Sequence, residues 1–185
     1  FADGEWNTDA YTYSDTGRLV QITRDAGEGK LNLTNRFTYD AAGNITSFVD
    51  GRGNTFTFEV NALNQVTRES GPRGYDRRIV YDENNNVIGV GGRSVVETRF
   101  TYNILDRVIT KTETIDGART VLTEYQYDLN ENLTRIIEPE GNSTFIEYDE
   151  RDLPYKVIQG YRSDIETPKY FSYDLNGNVQ TMRDG

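Results

Sequence analysis

Carboxylates carry most of the reactive chemistry open to this 185-residue chain, which has thirty Asp and Glu, twenty Lys and Arg, and neither His nor Cys. That inventory removes Ser-His triads, Cys-His dyads, His-ligated zinc and thiolate metal sites together. Three groups share the spacing Asp-x-Asn-x-Asn: Asp82, Asn84 and Asn86; Asp128, Asn130 and Asn132; Asp174, Asn176 and Asn178. Oxygen donors at alternate positions match the first three ligands of a calcium loop. Val87, Leu133 and Val179 follow where such a loop needs Gly, and no Glu stands at its twelfth position. These nine residues are the calcium candidates. An Asn-rich hairpin turn accounts for the same residues, and no metal or other cofactor is expected.

Two carboxyls at a controlled separation could also hydrolyse a glycoside. The Asp residues of this chain recur at turn openings, which makes them caps for backbone amides, so no catalytic residue and no enzyme is expected. Val90-Gly91-Gly92-Arg93 and Asp50-Gly51-Arg52-Gly53 are glycine clusters without the spacing or the following helix of a phosphate loop. They read as turns. Trp6 is given no role.

The elements that hold these residues repeat. An anchor, usually Tyr, recurs at Tyr13, Tyr39, Val60, Tyr81, Tyr102, Tyr127, Tyr148 and Tyr173, at spacings of 21 residues or of 25 to 26. Such a period means one small supersecondary unit copied along the chain, none of whose copies can bury its apolar face alone. The units span about 10–35, 36–56, 57–77, 78–98, 99–123, 124–144, 145–169 and 170–185, a single array over 1–185.

Two residues before each anchor stand Tyr11, Phe37, Phe58, Ile79, Phe100, Tyr125, Ile146 and Phe171, with mostly polar residues between, the alternation of a strand with one apolar face. Directly after the anchor come Ser14, Asp40, Asn61, Asp82, Asn103, Asp128, Asp149 and Asp174, which open turns. Three residues further stand Gly17, Gly43, Asn64, Asn85, Asp106, Glu131, Asp152 and Gly177, mostly types that tolerate positive φ. A second strand follows, with two partly apolar positions three apart, such as Leu19 and Ile22 or Ile45 and Phe48. Either both faces are partly covered or a bulge shifts the register. The two 25-residue spacings predict strands lengthened by two residues each, and Gly27 and Gly29 absorb the odd residue of the first spacing in a loop. In-register aromatic rings are expected to stack from unit to unit. The class is all-β: antiparallel hairpin repeats forming a coiled ribbon.

RFTYDAAGNIT, YQYDLNENLT and YFSYDLNGNVQ resemble the YD repeats of the Rhs family, and the pattern F/Y-x-Y-D-x-x-G-R/N-L/V covers the chain from about Ala10 onward. Its signature residues are Tyr13, Tyr39, Asp40, Gly43, Tyr81, Asp82, Tyr102, Tyr127, Asp128, Tyr148, Asp149, Tyr173, Asp174 and Gly177. Val60 departs from it, as does Pro154 at the head of a second strand. The family includes polymorphic toxins, the C component of insecticidal toxin complexes, wall-associated proteins and teneurins. The resemblance implies a segment of a hollow β-shell that encloses a tethered C-terminal toxin or effector. It equally permits a cell-surface module that binds glycans or proteins.

The partners expected are the rest of such a shell and its enclosed polypeptide, further copies through the sheet edges, and glycans. A formal charge of −10 argues against nucleic acid. No membrane-spanning stretch is found, and the location expected is secreted or cell-surface. The chain opens on Phe1 and reads as part of a longer protein.

Overall fold

A computed structural model describes residues 8–92 and 96–185. Trp6 and Arg93 of the last glycine cluster lie outside the described residues. The strands are β1 (Ala10–Tyr13), β2 (Leu19–Arg24), β3 (Leu33–Tyr39), β4 (Ile45–Val49), β5 (Thr55–Val60), β6 (Val66–Ser70), β7 (Asp76–Tyr81), β8 (Val87–Gly91), β9 (Val96–Tyr102), β10 (Val108–Ile115), β11 (Arg119–Tyr127), β12 (Leu133–Ile137), β13 (Ser143–Tyr148), β14 (Pro154–Gln159), β15 (Thr167–Tyr173) and β16 (Val179–Asp184). Their order in the sheet is their order in the chain. The all-β hairpin array read from the period is therefore what forms. A short 3-10 turn at Pro72–Gly74 is the helical exception among the described residues. The chain divides into two compact units, Phe1–Val80 with Val90–Val95, and Tyr81–Gly89 with Val96–Gly185.

Within the first unit the question of the second strand is settled by a bulge. Tyr39 lies opposite Ile45 and Thr38 opposite Ser47, so Thr46 is an extra residue on β4. Residues two apart on a strand share a face. The extra residue therefore brings Ile45 and Phe48, three apart, under Tyr39 and Phe37 on one face. The same shift follows Tyr13 and Val60 in this unit and Tyr102, Tyr127, Tyr148 and Tyr173 in the second. Phe37, Phe48 and Phe56 stack along that face, with centroids 5.3 and 5.9 Å apart. Burial is shallow throughout, and the described residues include no large side chain that is fully enclosed.

In the second unit one 25-residue spacing behaves as expected. β10 and β11 run to eight and nine residues and close at Asp116 and Gly117. The other does not. After β14 the four extra residues form a loop between Gly160 and Glu166, and Tyr161 folds back to stack on Phe145 at 4.6 Å. Ser143 and Ile158 beside it are buried, at 2 % and 6 % exposure.

Candidate functional site: a tyrosine lock and a ladder of turns

Each anchor turn opens on one short polar side chain, Ser14 in the first and Asp or Asn in the others. In the turn after Tyr39, Asp40 Oδ1 accepts from the amides of Gly43 (2.7 Å) and Asn44 (2.8 Å), while Oδ2 accepts from Asn44 Nδ2 (2.9 Å). A positive φ is required four residues after the anchor, and all eight positions have it, from Gly17 and Gly43 through Asn64, Asn85, Asp106, Glu131 and Asp152 to Gly177. Asp149 caps in the same way, accepting from the amides of Arg151 and Leu153 and from the Arg151 guanidinium.

The calcium candidates lie in these turns. Asp82, Asp128 and Asp174 each accept two backbone amides on Oδ1, and the side-chain nitrogens of Asn86, Asn132 and Asn178 donate to their Oδ2 atoms. Nitrogen donors thus face the carboxylate oxygens that a cation would need. No group of three or more His, Cys, Asp or Glu side chains converges on one point among the described residues.

Two further sets of bonds join successive repeats, and neither was visible in the repeat pattern. The first uses the anchor hydroxyl. Tyr39 donates to the Leu19 carbonyl at 2.7 Å, Tyr102 to Val87 at 2.7 Å, Tyr127 to Val108 at 2.9 Å, Tyr148 to Leu133 at 2.9 Å and Tyr173 to Pro154 at 2.6 Å. Leu19, Val108, Leu133 and Pro154 are each the residue just before the bulge of the preceding unit. A bulge interrupts the ladder locally, and the next tyrosine bonds to the backbone there. The recurring tyrosine thus serves through its hydroxyl as well as through its ring.

The second set joins the turns. Asn44 donates to Asn64 (2.8 Å), Asn86 to Asp106 (2.6 Å) and Asn132 to Asp152 (2.7 Å), while Arg107 pairs with Glu131 (2.7 Å). In each case the fifth residue after one anchor reaches the fourth after the next. Where that fourth residue is Gly, the preceding unit sends an arginine to backbone oxygens instead. Arg18 bonds to the carbonyls of Asp40 and Ala41, and Arg151 to that of Asp174. A Cβ at Gly43 would stand 2.9 Å from the Arg18 guanidinium, so glycine serves there through its missing side chain as well as through φ +100°. The sequence signal for this ladder was a pairing between non-equivalent positions one period apart, invisible when only equivalent positions are aligned.

Proteins of known structure show where this arrangement occurs elsewhere. No protein-family model matches the chain, nor does any curated protein. Among solved structures it is similar to a chain of the TcdB2-TccC3-Cdc42 crystal structure, with a TM-score of 0.76 and 14% identity over 94% of this chain and 11% of that one. It shares that fold. A TcdB2-TccC3 crystal structure without the hypervariable C-terminal region gives a TM-score of 0.75 at 14% identity, over 94% of this chain and 11% of that one. The Tc holotoxin pore of Photorhabdus luminescens gives 0.59 at 14% identity, over 95% and 12%. The chain thus spans about a tenth of the length of the structures it matches. The YD-repeat resemblance and this shared fold point the same way.

The turn carboxylates give the array a pH dependence. The Asn44 side chain, then its amide, holds Asp40 below the ordinary aspartate value, and Asn178 does the same for Asp174. A folded-state pKa lowered in this way contributes stability above the unfolded value of about 4, lost as the pH falls through the folded one. Urea unfolding followed from pH 6 to pH 2 is expected to show the midpoint falling below about pH 4. In Asp40→Asn that fall is expected to be shallower.

Proposed function

We propose that the chain is a stretch of wall in a shell that encloses a tethered polypeptide, a toxin or other effector, and that it works by shape and not by reactivity. The observation that carries this reading is the fold shared over 94% of the chain with TcdB2-TccC3 structures. The local physics supports it. Backbone ladders, tyrosine-to-carbonyl bonds and turn-to-turn bonds tie successive repeats together, which is what a barrier to proteases requires. The residues brought together are turn caps, with no nucleophile and base pair among them.

In such a wall β1 and β16, both exposed along their whole length, are the edges at which further units or copies add. On this reading the protein works outside the cell or on its surface. No helix among the described residues is long and apolar enough to cross a membrane. Glycan recognition by the anchor tyrosines gains little support, because five of their hydroxyls are already donated to backbone carbonyls.

The test is protease protection in the natural full-length protein. A polypeptide following the repeats is expected to resist cleavage while the wall is intact and to become sensitive in Tyr127→Ala. Equal cleavage rates in both proteins would remove the enclosing role.

A further inference from the structure

Val60 stands where the repeat calls for tyrosine, and the first unit has a groove of about 460 Å³ at that place, lined by Phe37, Ile45, Phe48, Phe58, Val60 and Val66 with Asn44 and Asn64 at its rim. Its lining can be read against the sister sites. Ile45 occupies the position of Leu19, Val87, Val108, Leu133 and Pro154, the five residues whose carbonyls receive a tyrosine hydroxyl. Asn44 occupies the position of Arg18, whose guanidinium lies 5.8 Å from the centre of the Tyr39 ring. Val60 is paired with Val66 across the same bulged register that places Tyr39 opposite Ile45. The groove is the cradle of an anchor tyrosine with the ring left out.

Exposure agrees with this. Leu19, Val66, Val87, Val108, Leu133 and Pro154 are half-buried, whereas Ile45 is 39 % exposed. The other exposed member of the series is Val179, at 57 %, in the last unit of the array. Ile45 is less exposed than Val179, which ends the array.

We propose that this groove binds the side chain of a tyrosine presented by another polypeptide, ring against Phe48, Phe58 and Val66 and hydroxyl donating to the Ile45 carbonyl. The occupant is specified by the five sister sites, where the same surroundings hold a tyrosine side chain in that bond. An apolar floor with a few polar groups that fix orientation is the usual build of a small binding site, and the volume lies within the common range of roughly 300–1,000 Å³. The site stands apart from the enclosing role proposed above, since a tyrosine could dock here from any polypeptide inside or outside a shell.

The experiment titrates N-acetyltyrosinamide into the full 185-residue chain and follows amide and methyl NMR signals of Ile45, Phe48, Val60 and Val66. Saturable shifts confined to these residues are expected, with N-acetylphenylalaninamide binding about two- to tenfold more weakly for want of the hydroxyl bond. Val60→Tyr and Val60→Phe each fill the groove from within and are expected to abolish the shifts. The phenylalanine variant keeps the test valid if the tyrosine variant does not fold. The proposal is overturned by absence of saturable shifts, by equal affinity of the two amides, by binding that survives both substitutions, or by p-cresol binding where the tyrosine derivative does not.

Discussion

Tyr148→Ala is expected to lower the unfolding free energy of the chain by about 2.5–3.5 kcal/mol, and Tyr148→Phe by about 1 kcal/mol. The smaller figure is the hydroxyl. It donates to the Leu133 carbonyl at 2.9 Å, and the phenylalanine variant leaves that bulge carbonyl without its partner. The larger figure adds the ring, which is half-buried on the face it shares with Ile146 and so contributes about half of the roughly 3–5 kcal/mol seen when a fully buried aromatic is truncated.

The hydroxyl itself reports the environment. Burial, and then the charge of Asp128, push its pKa above the ordinary tyrosine value. Its stabilising contribution is therefore complete below the unfolded value of about 10 and disappears as the pH rises through the folded one, where a phenolate can no longer donate. Urea unfolding of the three proteins at neutral pH measures both steps. A phenylalanine variant as stable as the parent would show that the hydroxyl bond contributes nothing, and an alanine variant within about 0.5 kcal/mol of the parent would remove the lock.

The hairpin period was legible because each unit repeats one alternation and one turn. Phe37-Thr38-Tyr39 gave the strand face, Asp40 the cap and Gly43 the positive φ. The bulge was half legible. Ile45 and Phe48, three apart, showed that something shifted the register, yet the identity of the extra residue depends on pairing across strands, which no single strand encodes. The lock was not legible, because its acceptor is a backbone carbonyl and every residue has one. In-register Tyr and Phe rings were expected to stack from one repeat to the next, but among the described residues the stacks of Phe37, Phe48 and Phe56 and of Phe145 and Tyr161 each lie within one repeat. The two 25-residue spacings look alike as numbers and fold differently for a chemical reason. Lys111-Thr112-Glu113-Thr114-Ile115 can continue a strand, whereas Gly160 is held at positive φ and Tyr161 has an aromatic ring to cover.

That loop carries the second large effect. Gly160→Ala is expected to cost about 2–3 kcal/mol and Gly177→Ala only about 1 kcal/mol, although both glycines have φ in the left-handed region, at +66° and +82°. The strain of placing a Cβ at positive φ is common to both. What differs is the space. A Cβ at Gly177 would lie 3.7 Å from Leu153, an ordinary contact, whereas at Gly160 it would stand 2.6 Å from the backbone oxygen of Ile165 and 2.9 Å from Ser163 Oγ. Backbone has to move to relieve the first of these. The loop is closed by the Ser163 amide on the Gly160 carbonyl at 2.8 Å and tied to the sheet by the Tyr161 amide on the Ser143 carbonyl at 2.8 Å. Ser143 Oγ in turn donates to the Tyr161 carbonyl at 3.0 Å. Opening it would release the Tyr161 ring from Phe145 and from the guanidiniums of Arg135 and Arg162, at 5.6 and 5.3 Å from its centre. Amide hydrogen exchange separates this from simple strain: Tyr161 and Ser163 lose protection in Gly160→Ala and keep it in Gly177→Ala. Equal costs for the two substitutions, with both amides still protected, would mean that the loop yields without leaving the sheet and that Tyr161 holds its place through the ring alone.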